Sequence, residues 1–229
     1  MRLEVPLKRI AVVGAGGFGR EVAWLIREIN ELESSAWDMV GFIDEDSALR
    51  NRIINGHPVL GGLETLEGMP GISLALALGS PSDRMGVVDR ISKCDVRYPN
   101  LIHPSATIGQ ENSLGFGNIL CAGVILTVNI RVGNFCHLNL KTSLGHDCVL
   151  EDFATTACGV DFAGFSHIGQ GCYFGNHATV LPSVRVGAWA VIGAGAVVNR
   201  DVEAGSVCVG VPARPIKMNS ALRKTKKQA

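Results

Sequence analysis

The sequence has no excess of charge of either sign, no long apolar run and no paired-cysteine motif. Its 229 residues carry 21 acidic and 21 basic side chains, so the formal net charge is zero. Without a basic excess, nucleic-acid binding is not indicated. Apolar stretches such as residues 74–78 are far too short to cross a bilayer, and no signal peptide is recognisable. These absences predict a cytoplasmic protein that neither inserts into membranes nor binds nucleic acid.

The seven cysteines are odd in number and lack the CxxC spacing of metal sites and redox motifs. Cys136, Cys148 and Cys172 fall in a regular column of small residues, where a thiol is a small apolar filler. We therefore expect reduced, buried cysteines and no bound metal.

An apolar residue does occur at every sixth position from Ile102 to Val198, without an insertion. This period fits neither an α-helix nor a flat strand and is typical of a coil of short strands. Only Thr156 is polar. The column consists of Ile102, Ile108, Leu114, Leu120, Leu126, Val132, Leu138, Leu144, Leu150, Thr156, Phe162, Ile168, Phe174, Val180, Val186, Ile192 and Val198.

A second column, four positions after the first, is mostly small, as at Ala106 and Ala178, because a tight inward corner requires small side chains. A glycine such as Gly109 often follows the apolar position, where we expect a turn that needs a permissive backbone. Three hexads make one triangular coil, so the repeat supplies about five coils. This hexapeptide repeat resembles the left-handed parallel β-helix of acyltransferases. It predicts an all-β domain over residues 101–217 with a C-terminal closing segment, followed by a basic tail over 218–229.

The first hundred residues alternate strand and helix patterns. Apolar runs at 9–13, 39–43 and 72–78 predict buried strands, and segments at 20–33 and 83–93 predict helices. Residues 1–100 are therefore expected to form a Rossmann-like α/β domain of about half the size of a full dinucleotide-binding domain.

A glycine-rich turn of the pattern G-x-G-x-x-G connects the first strand to the first helix. Backbone N–H groups and the helix dipole at such a turn bind phosphate or diphosphate. Asp44, at the end of the second strand, is a candidate acceptor for hydrogen bonds from a ribose or a base. Half a domain suits a nucleotide-sugar better than NAD, and the alternative is that the glycines serve only a tight turn. The residues of the turn are Gly14, Gly16, Gly17, Phe18 and Gly19.

Together, the motif GAGGFGRE, the uninterrupted repeat and the sequence GVPARP at 210–215 resemble the sialic-acid O-acetyltransferase/sugar O-acyltransferase family. The resemblance covers about residues 8–217. That family includes bacterial N-acetyltransferases of nucleotide-linked 4-amino-4,6-dideoxysugars. The resemblance implies acetyl-CoA as co-substrate, a nucleotide-linked amino sugar as acceptor, and a homotrimer with its sites between neighbouring β-helices.

The resemblance also implies site residues in the repeat. His146 followed by Asp147 matches the family's general base and its acidic neighbour on the outside of a middle coil. Gly164, one coil further, leaves room for the thioester arm and offers its N–H to an oxyanion. Asn139 matches a family position near the reacting groups. Thr155 stands where a His often follows the base by nine residues.

For acetyl-CoA, the resemblance places Ala194 against the pantetheine, and Arg214 and Lys217 are candidates for phosphate contacts. In the glycine-rich turn, Phe18 stands where family members usually carry His. Three alternatives stay open: an O-acetyltransferase acting on a sugar hydroxyl, an NAD-dependent oxidoreductase, and a trimeric scaffold without activity.

Overall fold

A computed structural model describes residues 8–32 and 37–219 of the chain. Contacts divide the described residues into two compact units, of which the first comprises residues 8–32, 37–79 and 83–104 and the second residues 80–82 and 105–219. The first is an α/β unit and the second is built of short parallel strands, which confirms the predicted fold class. After residue 219, the predicted basic tail lies outside the described residues. No helix in the described ranges is long and apolar enough to cross a membrane.

Up to residue 102, the described chain alternates strands with short helices. In order, the elements are β1 (Lys8–Val13), α1 (Gly17–Leu32), β2 (Trp37–Ile43), a 3₁₀ helix (Ser47–Leu49), β3 (Ile53–Ile54), β4 (His57–Gly61), a second 3₁₀ helix (Leu63–Gly68), β5 (Ile72–Leu76), α2 (Pro81–Arg90), β6 (Val96–Arg97) and β7 (Leu101–Ile102).

Strands β1 to β6 form one sheet in the order β3-β4-β2-β1-β5-β6, parallel except for the antiparallel pair β3–β4. The central strand β1 is fully buried at Ile10, Ala11 and Val12, as expected for a parallel strand covered on both sides. The chain passes from β1 to β2 on one side and later enters β5 on the other side of β1. The loops after β1 and β5 therefore diverge at the carboxyl ends of the strands, where α/β sheets bind ligands.

Both helices of this unit begin earlier than the sequence predicts. Helix α1 starts at Gly17 rather than residue 20, because the Arg20 N–H already donates to the Gly16 carbonyl at 3.1 Å. Its predicted apolar face is buried. Helix α2 starts at Pro81 rather than residue 83, since proline favours the first turn of a helix. The buried apolar face of α1 consists of Val22, Leu25, Ile26 and Ile29.

The second unit contains the strands of the hexapeptide repeat. In order, they are β8 (Thr107–Ile108), β9 (Ser113–Leu114), β10 (Ile119–Leu120), β11 (Ile125–Leu126), β12 (Arg131–Val132), β13 (His137–Leu138), β14 (Ser143–Leu144), β15 (Val149–Leu150), β16 (Thr155–Thr156), β17 (Asp161–Phe162), β18 (His167–Ile168), β19 (Tyr173–Phe174), β20 (Thr179–Val180), β21 (Arg185–Val186), β22 (Val191–Ile192), β23 (Val197–Val198), β24 (Ser206–Val209) and β25 (Arg214–Met218).

These strands form a three-sided prism. The first face contains β10, β13, β16, β19, β22, β24 and β25, the second β8, β11, β14, β17, β20 and β23, and the third β9, β12, β15, β18 and β21. Each repeat strand pairs in parallel with the strand 18 residues further on, as Leu126 does with Leu144 and Leu144 with Phe162. The apolar column is buried in the interior from Leu120 to Val198, whereas Ile108 is exposed. Full burial of a large apolar side chain contributes about 1.5–3 kcal/mol.

The structure corrects the expected role of the repeat glycines. Positive φ angles occur two positions after those glycines, at corner residues such as Phe135 (54°), Asp147 (59°) and His177 (57°). The glycine itself is required by the close approach of the coils. A Cβ at Gly109 would lie 2.0 Å from the carbonyl oxygen of Thr127 on the next coil.

The prism interior accommodates the predicted small column. Cys136, Cys148 and Cys172 are fully buried thiols that are not disulfide-bonded, and burial raises the pKa of Cys172 to about 12. A thiol with so high a pKa stays protonated and reacts poorly, which confirms its role as a filler. At the C-terminal end, β24 and β25 form an antiparallel pair on the first face, in contrast to the parallel coils that precede them.

Candidate active site

His146 lies at the corner of the prism that follows β14, between the second and third faces. Its side chain is 55% exposed. The imidazole ring covers Gly164 of the next coil, where a Cβ would lie 2.7 Å from both Cε1 and Nε2 of the ring. Only glycine at position 164 is therefore compatible with this placement of the ring.

The space beside Gly164 is occupied by the His146 ring, which differs from the expectation based on the sequence. We expected that space to admit the thioester arm of acetyl-CoA, but the ring of His146 fills it. The Gly164 N–H has no hydrogen-bond partner among the described residues. Its use as a donor to an oxyanion stays a prediction.

A short chain of hydrogen bonds fixes the orientation of the His146 ring. Nδ1 lies 2.8 Å from Oδ2 of Asp147, and Oδ1 of Asp147 accepts a hydrogen bond of 3.2 Å from Nδ2 of Asn129. Asp147 and Asn129 occupy equivalent corner positions one coil apart, both with φ of 59°. The neutral ring donates from Nδ1 to the carboxylate, so its lone pair is on Nε2, which faces no protein partner among the described residues. This arrangement suits a general base.

Exposed apolar side chains surround this histidine. The ring of Phe165 meets the ring of His146 edge to face, with 5.0 Å between centroids, and Phe165 is 59% exposed. Val128 and Leu181, on neighbouring coils at the same corner, are exposed as well. Sequence reasoning missed Phe165, although its position 18 residues after Asp147 places it in the same outward column.

A second histidine–carboxylate pair lies on the third face. His167 Nε2 is 2.7 Å from Oε1 of Glu151, and Nδ1 is 3.4 Å from a guanidinium nitrogen of Arg185. The hydrogen bond from His167 holds the pKa of Glu151 below its usual value, helped by the Gln170 backbone N–H. The sequence did not reveal this pair because the partners are 16 residues apart. Both ring nitrogens of His167 are engaged, so it is poorly placed to accept a substrate proton.

Within one chain, Asn139 and Thr155 do not lie at the corner of His146. Asn139 follows β13 at the corner between the first and second faces, and Thr155 belongs to β16 on the first face. Thr155 is buried, and its hydroxyl donates to the Phe153 carbonyl at 3.2 Å. Asn139 and Thr155, which the sequence placed near the reacting groups, thus lie on a different part of the prism from His146.

Two of the three residues expected to contact CoA line one cavity. Arg214 and Lys217 border a volume of about 450 Å³ near the C-terminal hairpin, together with Arg200 and the carboxylates of Asp201 and Glu203. Ala194 does not line this cavity. Ala194 follows β22, and a Cβ added at Gly175 would lie 2.5 Å from the Ala194 backbone nitrogen.

In the first unit, the four glycines of the predicted phosphate-binding turn differ in what requires them. Gly14 has φ of +99°, and a Cβ at Gly19 would lie 1.9 Å from the Gly14 carbonyl oxygen. These two are required by the fold. A Cβ at Gly16 would meet nothing within 4 Å, and one at Gly17 would meet only the Arg20 guanidinium, at 3.9 Å. Nothing in the fold therefore requires glycine at 16 or 17. Phe18, between them and Gly19, is half-buried.

Asp44 takes part in shaping this turn. Its Oδ2 accepts a hydrogen bond of 2.7 Å from the Ala15 N–H, and its Oδ1 one of 2.9 Å from the Asp46 N–H. Asp44 therefore stabilises the turn itself, a role that the sequence did not predict. A cavity of about 120 Å³ lies beside it, lined also by Gly14 and Glu45.

Sequence reasoning missed two charged residues next to this crevice. The Arg84 side chain is fully buried and donates to the Leu78 carbonyl at 2.6 Å, which holds the loop after β5. The Glu45 carboxylate accepts from the Leu63 N–H at 3.0 Å and pairs with Arg90 at 3.1 Å. The Leu63 hydrogen bond, and secondly Arg90, lower the pKa of Glu45. Their partners are distant in sequence, so no local motif indicates them.

Known proteins share both units of this chain. Residues 9–91 match the family model described as the PglD N-terminal domain, and residues 165–200 match the bacterial transferase hexapeptide model. A GDP-perosamine N-acetyltransferase from Escherichia coli O157:H7 is 29% identical over 213 residues, which cover 90% of this chain and 95% of that protein.

Solved structures agree with this similarity. PerB from Caulobacter crescentus, in complex with CoA and GDP-perosamine, is 26% identical with a TM-score of 0.83 and covers 94% of this chain and 100% of that one. WeeI from Acinetobacter baumannii AYE is 31% identical with a TM-score of 0.76 and covers 91% of this chain and 100% of that one. These findings confirm the resemblance inferred from the sequence. The chain belongs to the family of hexapeptide-repeat acetyltransferases with a PglD-type N-terminal domain.

Proposed function

We propose that this protein transfers the acetyl group of acetyl-CoA to the amine of a nucleotide-linked amino sugar, with His146 as general base. The observation that carries the proposal is the His146–Asp147 pair, in which the imidazole is 55% exposed and its Nε2 has no hydrogen-bond partner among the described residues. The similarity to perosamine N-acetyltransferases supports both the acyl donor and the class of acceptor.

The proposed reaction is a direct transfer in a ternary complex. The neutral amine attacks the thioester carbonyl, so that a C–N bond forms and a tetrahedral oxyanion develops. His146 Nε2 takes the proton from the attacking nitrogen, and Asp147 stabilises the imidazolium. When the C–S bond breaks, the imidazolium proton passes to the departing CoA sulfur. The Gly164 N–H is a proposed donor to the oxyanion.

The first unit is proposed to bind the nucleotide part of the acceptor. Gly16 and Gly17 are exposed, and their lack of a side chain serves no visible purpose in the fold. Bare backbone at the start of α1 is what a diphosphate requires. The cavity beside Asp44 is small compared with the roughly 300–1,000 Å³ of typical ligand pockets. A nucleotide bound there would therefore extend over the surface of the turn.

We further propose that the protein is a homotrimer whose active sites lie between neighbouring prisms. One prism presents His146 at one corner and Asn139 and Thr155 elsewhere, so a site that uses all three requires a second copy. The exposed apolar side chains around His146 are compatible with contact to such a copy or to the pantetheine arm. The cavity with Arg200, Arg214 and Lys217 is the proposed position of the CoA phosphates.

Product analysis tests this proposal. Acetyl-CoA is incubated with UDP-, dTDP- and GDP-linked amino sugars, and the acceptor is examined by mass spectrometry before and after mild alkali. An alkali-stable acetyl group on one sugar is expected, because an amide resists conditions that hydrolyse an ester. An alkali-labile product would overturn the N-acetyltransferase assignment in favour of a hydroxyl acceptor.

A further inference from the structure

At Asn139, a side chain replaces the backbone acceptor of the hydrogen bond that follows the apolar column. In other coils, the amide that follows the apolar column donates to the carbonyl of the apolar residue one coil on, as Gly133 does to Leu150 at 2.8 Å and Gly145 to Phe162 at 2.7 Å. The Asn139 N–H instead donates to the side-chain Oγ1 of Thr156 at 3.0 Å. Accordingly, β13 and β16 share one aligned residue pair, whereas the other described strand pairs between successive coils share two.

This replacement coincides with the polar residue in the apolar column. Thr156 is almost fully buried, and its Oγ1 lies 2.8 Å from Oγ1 of Thr142, which is fully buried. The two hydroxyls satisfy each other inside the prism, where the repeat normally places apolar side chains. Valine has nearly the shape of threonine and would restore the repeat, but it would leave the buried Thr142 hydroxyl without this partner, so the threonine at 156 serves hydrogen bonding rather than packing.

The Asn139 side chain has a fixed orientation at this position. Its Oδ1 accepts a hydrogen bond of 2.7 Å from the Leu140 N–H and a long one of 3.7 Å from the Cys158 thiol. The amide oxygen is therefore directed to the protein, and Nδ2 has no partner among the described residues. Half-buried Asn139 thus presents two N–H donors and no free acceptor, which suits a carbonyl oxygen and not an ammonium group.

We propose that Thr156, supported by Thr142, is a positioning residue that turns the Asn139 carboxamide so that its NH₂ group donates to a carbonyl oxygen of the acyl-CoA. The inference rests on the proposed function, since it concerns the same reaction. It adds a reason for the polar residue in the repeat and a direction for the Asn139 hydrogen bond. The hydroxyl of Thr156 acts through Asn139 and does not touch the substrate.

The test compares the double variant Thr142→Val/Thr156→Val with Thr156→Ser, because the first removes the two buried hydroxyls and the second removes only a methyl group. The double variant replaces both partners of the buried contact by apolar groups of similar shape and leaves neither hydroxyl unsatisfied, so its melting temperature is expected to stay close to that of the wild type. Its kcat/KM for acetyl-CoA is expected to fall about tenfold to a hundredfold, as expected when a reacting group is displaced. Thr156→Ser keeps the hydroxyl and is expected to retain activity while losing stability. Activities that follow the melting temperatures instead would overturn the proposal.

A second pair of variants addresses the donor directly. Asn139→Asp keeps an oxygen for the Leu140 N–H but replaces the NH₂ donors by a carboxylate oxygen, and Asn139→Ala removes both. Asn139→Asp is expected to be at least as impaired as Asn139→Ala, and an active Asn139→Asp protein would contradict the inference. Wild-type turnover in the same assay tests the proposed function separately. If the wild type is inactive, the dissociation constant of acetyl-CoA, measured by calorimetry for the same variants, decides the inference.

Discussion

Two histidine–carboxylate pairs lie in the described part of the prism, and the difference between them is the reason for proposing His146 as the base. His146 and His167 have nearly equal distances to their carboxylates, 2.8 and 2.7 Å. The second nitrogen of His167 faces Arg185, whereas the second nitrogen of His146 has no protein partner among the described residues. A carboxylate neighbour alone therefore does not indicate catalysis, and a free nitrogen is also necessary.

The glycines of the turn after β1 offer a matched pair of substitutions. Gly16→Ala is expected to leave the melting temperature unchanged, because the new Cβ meets nothing, but to weaken nucleotide-sugar binding at least about tenfold if a phosphate approaches the backbone there. Gly19→Ala is expected to destabilise the first unit, because its Cβ would overlap the Gly14 carbonyl. Thermal unfolding and calorimetry with the acceptor provide the comparison. If Gly16→Ala binds the nucleotide-sugar with unchanged affinity, the turn does not contact the phosphates of this ligand.

A pH effect follows from the Glu151 carboxylate. Its folded-state pKa is held below 4.5, first by the His167 hydrogen bond, so its contribution to stability is present above that pH and is lost as the pH falls through the folded pKa. Glu151→Gln is therefore expected to flatten the acid limb of the free energy of unfolding as the pH falls through and below the usual pKa of a glutamate. Chemical denaturation over that range measures it. If the free energy of unfolding falls with pH in the same way for the wild type and Glu151→Gln, Glu151 does not contribute to the acid sensitivity of the fold.

Two positions in each coil place different demands on the residue that occupies them: one must admit the neighbouring coil, and the other must adopt a left-handed backbone conformation. Glycines after the apolar column admit the backbone of the next coil, while the left-handed corner positions are often occupied by other residues, including Asn129 and Asp147 of the site. Asparagine and aspartate adopt this conformation more readily than most residues. The corner geometry thus accommodates the polar chain that orients His146.

This distinction can be tested with two glycines of the repeat. A Cβ at Gly169 would lie 2.6 Å from the Ala188 amide nitrogen, whereas Gly195 has φ of +65° and open space around it. Gly169→Ala is expected to lower the free energy of unfolding by at least about 2 kcal/mol through overpacking. Gly195→Ala should cost about 1 kcal/mol, through backbone strain alone. Denaturant titration distinguishes them, and a larger loss for Gly195→Ala would contradict the close-approach explanation.

The assembly is the level at which the proposed site becomes complete. One prism holds the proposed base His146 at one corner and Asn139, the proposed hydrogen-bond donor to acyl-CoA, at another, so the proposed reaction uses residues of a neighbouring copy. The two units have distinct proposed tasks: the first binds the nucleotide, and the second binds acetyl-CoA and carries the base.

Mixing two inactive variants tests this sharing. If His146 and Asn139 of one site come from different copies, randomly mixed trimers of His146→Ala and Asn139→Asp are expected to regain about a quarter of the wild-type activity, since about one site in four receives both intact residues. The variants are unfolded and refolded together, with separately refolded proteins as the control. If a verified mixed trimer recovers no activity, His146 and Asn139 of one site come from the same copy, which would contradict the proposed sharing.

How much the sequence predicted depended on the distance between interacting residues. The six-residue period predicted the prism, and the glycine pattern predicted the α/β unit, because both signals are local. His146 and Asp147 are adjacent and were found as a pair. The Glu151–His167 pair, Arg84 and the Thr142–Thr156 contact were missed, because their partners are 6 to 16 residues apart and meet only once the chain is folded.

The central claim is that His146 removes a proton from the acceptor amine. Thiol release from acetyl-CoA is measured with the nucleotide-linked amino sugar that the product analysis identifies, for wild type, His146→Ala and His167→Ala. The account predicts a loss in kcat of about 10²–10⁴ for His146→Ala. His167→Ala, which removes a pair of equal length elsewhere on the prism, is predicted to keep near-wild-type turnover. A loss of less than tenfold in a folded His146→Ala protein, or an equal loss in both variants, would contradict it.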